Sequence, residues 1–148
     1  MVRVLFLCEK NDGLSQIAEG LAKKMSHARF RAYSAGVEPS PIPNLILNRF
    51  RQLGIDPGNH RIKHLDEFKN KFFDYVIWIG NERDNGFFYA QSHWPKCRIW
   101  HAEVPDPLTV PPDDYLKKLD AQIQFISAHV QLFVLCHHEE KEEIVWEI

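Results

Sequence analysis

The stretch Val4-Leu5-Phe6-Leu7-Cys8-Glu9-Lys10-Asn11-Asp12-Gly13-Leu14-Ser15 constrains the fold more than any other part of the chain. A continuously apolar run enters a cysteine, then a short polar loop, then the amphipathic run Ser15 to Ala22. Such a run reads as a strand buried on both faces, and Leu14, Ile17, Ala18, Leu21, Ala22 and Met25 fall on one helical face. Strand, tight loop and helix N-terminus in succession aim backbone N–H groups and the helix dipole at the loop, an arrangement suited to phosphate-like anions. A cysteine at the mouth of that loop is placed to act as a thiolate nucleophile.

The alternation continues downstream. Phe30 to Ser34 reads as a second strand closed by Ala35-Gly36, and Pro39, Pro41 and Pro43 lead into a helix over 44–53 that ends at Gly54. Leu65 to Phe72 reads as a short helix, Asp74 to Ile79 as a third strand stopped by Gly80, and Cys97 to His101 as a fourth. A polar loop with Asn81, Glu82, Arg83 and Asp84 follows Gly80. The last helix, over 113–135, places Leu116, Leu119, Ile123, Ile126, Val130 and Phe133 on its buried stripe. The fold class is therefore α/β: one domain over 1–138 with a parallel sheet covered by helices on both faces, and a solvated acidic tail over 139–148. Ligands in such folds sit at the carboxyl ends of strands, where Cys8, the loop after Gly80 and the loop at Asp106 should converge.

Bulk properties narrow the function. The 148 residues suffice for one domain, and a formal net charge of -2 supplies no basic field for nucleic acid. No segment is expected to reach the length of a membrane span, and Met1-Val2-Arg3 leads into a strand, so no membrane association and a cytoplasmic location are expected. Cys8, Cys97 and Cys136 are too few and too scattered for a disulfide framework. Cys136-His137-His138 fits no closed zinc site, so neither a metal nor any other cofactor is expected. Trp94 and Trp100 are expected near the active edge, where they could serve as a recognition surface.

In order and spacing, these motifs resemble the low-molecular-weight protein tyrosine phosphatases and, within that superfamily, the thioredoxin-coupled arsenate reductases. Cys8 through Ser15 is similar to the family's Cys-x5-Arg-Ser loop, Ser15-Gln16-Ile17-Ala18-Glu19-Gly20 to the reductases' helix start, and Ser34-Ala35-Gly36 to the second-strand motif. His60-Arg61, Leu65-Asp66-Glu67-Phe68, Phe73-Asp74-Tyr75-Val76-Ile77 and Asp106-Pro107 continue it. The resemblance implies a four-stranded sheet in the order 2-1-3-4. It also implies Cys8 as nucleophile, Asn11 in a left-handed turn supported by Ser34, Ser15 as donor to the thiolate, and Asp106 as general acid.

The departures fall within the loop. Leu14 stands where the family has its arginine, the bidentate cation that binds the oxyanion and its transition state. Glu9 and Asp12 add negative charge opposed only by Lys10, and Gly13 and Gly80 stand where relatives often carry a second thiol. The reading is a catalytically impaired member that uses the anion-binding loop (Glu9, Lys10, Asn11, Asp12, Gly13, Leu14) for a phosphoprotein or other protein partner, or for a weak phosphate-like anion. One alternative is an active cysteine-dependent phosphatase of phosphotyrosine or aryl phosphates, with Lys10, Arg83 or loop amides replacing the guanidinium. Another is a reductase-like redox protein pairing Cys8 with Cys97.

Overall fold

The computed structural model describes residues 1–56, 60–103 and 109–146, with side chains described to residue 137. Strand β1 is Val2–Cys8, followed by helix α1 (Leu14–Met25), β2 (Phe30–Gly36) and α2 (Asn44–Gln52). A 3-10 turn spans Leu65–Glu67, and β3 (Tyr75–Gly80), α3 (Asn85–His93), β4 (Arg98–His101) and α4 (Pro112–Trp146) complete the order. The four strands are parallel in the order β2-β1-β3-β4.

The pleat of β1 sorts its side chains between two cores. Val2, Val4 and Phe6 join α1, α4 and the α2 residues Ile46 and Phe50 on one face. Leu5 and Leu7 join Leu65, Phe68, Phe73, Trp78 and the α3 residues Phe87 and Ala90 on the other. Burial of β1 on both faces is why its sequence shows no polar alternation.

Four differences from the sequence reading have physical causes. Helix α3 has no counterpart in the sequence reading, because its buried residues are only Gly86, Phe87 and Ala90 while Phe88 and Tyr89 are exposed, which blurs the 3.6-residue stripe. The segment after Leu65 is a single 3-10 turn rather than a longer helix. Leu116 is 38% exposed, so the buried stripe of α4 begins at Leu119. Helix α4 also runs on to Trp146, through most of the expected tail.

Over Pro112–His137 this helix does reach the length of a membrane span, and an 18-residue window within it has a mean hydropathy of 1.2. Its apolar residues Leu119, Ile123, Ile126, Val130 and Phe133 are nevertheless buried in the core shared with α1.

Candidate active site

The loop between β1 and α1 is held against the sheet by its own backbone. The Glu9 carbonyl accepts from Val37 and Glu38 N–H (2.9 and 2.7 Å), and the Lys10 carbonyl accepts from Ser40 N–H (3.0 Å). Gly36 is required at this crossing: a Cβ there would meet Asn11 N at 2.7 Å and Lys10 C at 2.8 Å. Asn11 takes the left-handed conformation, φ 53°, which asparagine tolerates better than most residues. That turn brings the Asn11 N–H to 3.2 Å from Cys8 Sγ, where it donates, and Ser15 Oγ lies 2.8 Å from the same sulfur.

Behind the sulfur lies a buried polar network whose orientations follow from obligatory donors and acceptors. The Lys63 N–H can only donate, and it meets Asn11 Oδ1 at 2.9 Å. Asn11 Nδ2 therefore faces Ser15 and donates to its hydroxyl (3.0 Å), leaving the Ser15 proton free for Cys8 Sγ. The Arg61 carbonyl can only accept, so Gln16 Nε2 donates to it (3.0 Å) as well as to Asn11 Oδ1 (2.8 Å). Gln16 Oε1 must then accept from His60 Nδ1 (2.9 Å), which fixes the imidazole proton on Nδ1.

Glu19 closes the network. Its carboxylate receives Ser34 Oγ at 2.8 Å, Lys23 Nζ at 2.9 Å and Lys63 Nζ at 3.4 Å, with His60 Nδ1 at 3.5 Å. Burial pushes the Glu19 carboxyl up, but Lys63, Lys23 and the hydroxyl of Ser34 outweigh it and leave it below the ordinary range. Burial lowers Lys63 despite Glu19, and likewise lowers His60.

The front of the loop has another character. Leu14 is 3% exposed and packs with Ile17 and Ala18 in the α1–α4 core. It offers neither charge nor donor where the sequence resemblance implies a guanidinium. Glu9 turns its carboxylate away from the sulfur and accepts from Gly86 N–H (3.3 Å) at the N-terminus of α3, where a negative charge meets the helix dipole favourably. Lys10 is exposed, and Asp12, half-buried, is raised by that burial although Lys10 partly offsets it. The half-buried Cys8 thiol is pushed above its ordinary 9.0, chiefly by burial and further by Asp12, against the hydrogen bonds from Ser15 and Asn11.

Cys8, Ser15 and Asn11 are thus brought together, with Gly13 buried at the helix start. Ser34 supports Glu19 rather than Asn11, whose side-chain partners are Ser15, Gln16 and Lys63. The Asp106 reading lies outside the described residues. Arg83 is exposed, its backbone N–H donating to Asn81 Oδ1.

Cys97 lies elsewhere. It precedes Arg98, which pairs with Ile77, whereas Cys8 follows Leu7, which pairs with Trp78. Two strand spacings and the offset along the strands put the two Cα atoms roughly 14 Å apart, beyond disulfide reach. Burial also pushes the Cys97 thiol up to about 12. Trp94 sits at that same far end against Phe73, away from the active edge, whereas Trp100, paired with Ile79, lies at the Cys8 end of the sheet and packs on Phe6 and Phe133.

Comparison with known proteins agrees with this geometry. Residues 3–131 match the family described as low molecular weight phosphotyrosine protein phosphatase. The chain belongs to that family. Among its relatives, Arsenate reductase 2 of Staphylococcus haemolyticus is 29% identical over 82 residues, 55% of this chain and 63% of that protein. The chain thus spans less than two thirds of that relative's length. Glutaredoxin arsenate reductase of Synechocystis sp. is 30% identical over 109 residues, 72% of this chain and 80% of that protein. A solved structure described as an arsenate reductase in the phosphate binding state superposes with a TM-score of 0.72 at 22% identity, over 91% of this chain and 98% of that one. The four-stranded sheet and its order are therefore those of the family.

Sequence reasoning quoted Gln16, Glu19 and His60 within motifs but gave them no role, and it passed over Lys63. Gln16 and Glu19 carried a signal: with Ser15 they are the polar residues of a helix whose first two turns are otherwise apolar. Lys63 sits in irregular chain, where no periodicity announces burial.

Proposed function

We propose that this member of the family is a catalytically impaired, cytoplasmic phosphatase scaffold that engages a protein partner or a weak phosphate-like anion through the Cys8 edge. The observation that carries this reading is Leu14, buried in the α1–α4 core at the arginine position of the loop. Removing one oxyanion donor costs about 10²–10³ in rate, and removing an arginine from phosphoryl transfer roughly 10³–10⁵. The raised Cys8 thiol compounds the loss, because the thiol must ionise before it attacks. The names of the relatives point to arsenate reduction, but the position of Cys97 gives Cys8 no disulfide partner there.

A second reading has its own observation. The contacts of Cys8 with Ser15 (2.8 Å) and Asn11 N–H (3.2 Å) are those a working nucleophile needs, which supports an active phosphatase drawing on another cation. Steady-state hydrolysis of an aryl phosphate by wild type and Cys8→Ser separates the two. The first reading expects wild type to be indistinguishable from Cys8→Ser. Turnover that Cys8→Ser abolishes would replace it with the second.

A further inference from the structure

At the end of the sheet away from Cys8, a cavity of about 620 Å³ opens between the start of β3 and the turn before β4. Its walls are aromatic, formed by Phe72, Phe73, Tyr75 and Trp94, and Phe72 is 72% exposed. Its rim carries exposed Lys96 and Arg98, with Lys71 nearby over the Phe68 ring. The one acidic lining residue among the described residues, Asp74, is already engaged by the Arg3 N–H at 2.7 Å. The wall also includes His93, whose buried Nε2 has no hydrogen-bond partner among the described residues, an uncommon state for such an atom. An aromatic floor inside a basic rim fits an acidic segment with apolar anchors.

The chain contains such a segment. Residues 139–148 read Glu-Glu-Lys-Glu-Glu-Ile-Val-Trp-Glu-Ile, five carboxylates to one ammonium, with Ile144, Val145, Trp146 and Ile148 among them. Helix α4 delivers it to this end of the molecule, because His137 contacts Tyr75, itself a wall of the cavity (Tyr75 hydroxyl to His137 Nδ1, 2.8 Å). From His137 the helix continues to Trp146, a rise of about 14 Å. A helix that continues straight carries the segment past its own cavity rather than back into it.

We propose that this cavity receives the acidic C-terminal segment of a second copy of the chain, giving a dimer in which each α4 end seats against the other copy's aromatic floor and basic rim. Made reciprocally, the two contacts are related by a two-fold axis, so the assembly closes at two copies. The proposal is independent of any activity at Cys8.

The test is sedimentation equilibrium of the full chain from about 1 to about 100 µM, a range that resolves interfaces of modest size. Beside it run a chain shortened to residues 1–138, the double variant Lys96→Glu/Arg98→Glu, and Trp146→Ala, each checked by circular dichroism for native helix content. The full chain is expected to dimerise and the shortened chain to remain monomeric. The charge reversal should raise the dissociation constant about tenfold or more, and combining it with Glu142→Lys/Glu143→Lys should restore part of the affinity. A monomeric full chain overturns the proposal. So does a shortened chain that still dimerises, or one that loses thermal stability with no change in mass, since the segment would then act within its own copy.

Discussion

The two sides of the Cys8 loop have opposite characters. The rear, formed by Asn11, Ser15, Gln16, His60, Lys63 and Glu19, is a polar network in which donors meet acceptors at 2.8–3.5 Å. The front presents Leu14, buried among apolar neighbours, and the Glu9 carboxylate is spent on the N-terminus of α3. Because the rear holds the left-handed turn at Asn11 and the contacts to Cys8 Sγ, the loop keeps its shape without an arginine to organise it. Loop conformation and loop chemistry are thus separable here: one rests on backbone and buried amides, the other on a single side chain at the start of α1.

The largest expected effect comes from restoring the front. Leu14→Arg should gain Cys8-dependent aryl-phosphate turnover of at least about 10²-fold over wild type, read against Leu14→Arg/Cys8→Ser as the blank. Removing a buried leucine also costs about 2–4 kcal/mol, so a thermal melt accompanies the assay, and Leu14→Lys serves as a second variant. If both variants fold and neither turns over, shape and chemistry are not separable as described.

Breaking the rear should cost stability instead. Asn11→Ala removes three buried side-chain hydrogen bonds and places alanine at φ 53°, for a loss of about 2–4 kcal/mol in urea unfolding. Asn11→Gly keeps the backbone conformation accessible and should cost less. Equal losses would mean that the turn contributes nothing beyond its hydrogen bonds.

The network also predicts a pH dependence with a definite sign. Burial holds His60 below its ordinary 6.5, so the folded state favours the neutral imidazole. Stability attributable to His60 is therefore present above 6.5 and is lost as pH falls through that value toward the lower folded pKa. The depressed Glu19 carboxyl acts in the same sense at lower pH: its contribution is present above the ordinary 4.5 and is lost as pH falls through its folded pKa. Urea midpoints measured from pH 7.5 to 5 should decline for wild type and flatten for His60→Gln; a parallel decline in both would place the titration elsewhere.

The smallest effect belongs to Glu9. Glu9→Gln should weaken the α3 N-terminus by about 0.3–1 kcal/mol while leaving Cys8 alkylation unchanged. A marked rise in Cys8 reactivity would show that this carboxylate faces the sulfur after all.

Most of the fold could be read from residue patterns because β1, β3 and α1 are buried in ways that leave unbroken apolar runs or a clear helical stripe. Helix α3 escaped because three small or aromatic contacts, Gly86, Phe87 and Ala90, suffice to seat it while its neighbours face water. In the site, Cys8 was legible from its place between an apolar strand and a helix start, and Asn11 and Ser15 through the family resemblance of the same short loop. The partners that hold them were not: Lys63 reaches Asn11 across 52 positions, and Ser34 meets Glu19 across 15. Such pairings are set by sheet topology, which brings Gly36 beside the loop and the segment at Lys63 beside Gly36.

The most direct measurement of the central claim is a titration of inorganic phosphate into ¹⁵N-labelled wild type and Leu14→Arg, following the Ser15 amide. The account predicts saturable binding in Leu14→Arg at least about 100-fold tighter than in wild type, at unchanged chemical shifts for the Gln16 side-chain amide behind the loop. Equal affinity in the two proteins would contradict it, because the anion site would then owe nothing to the residue at position 14.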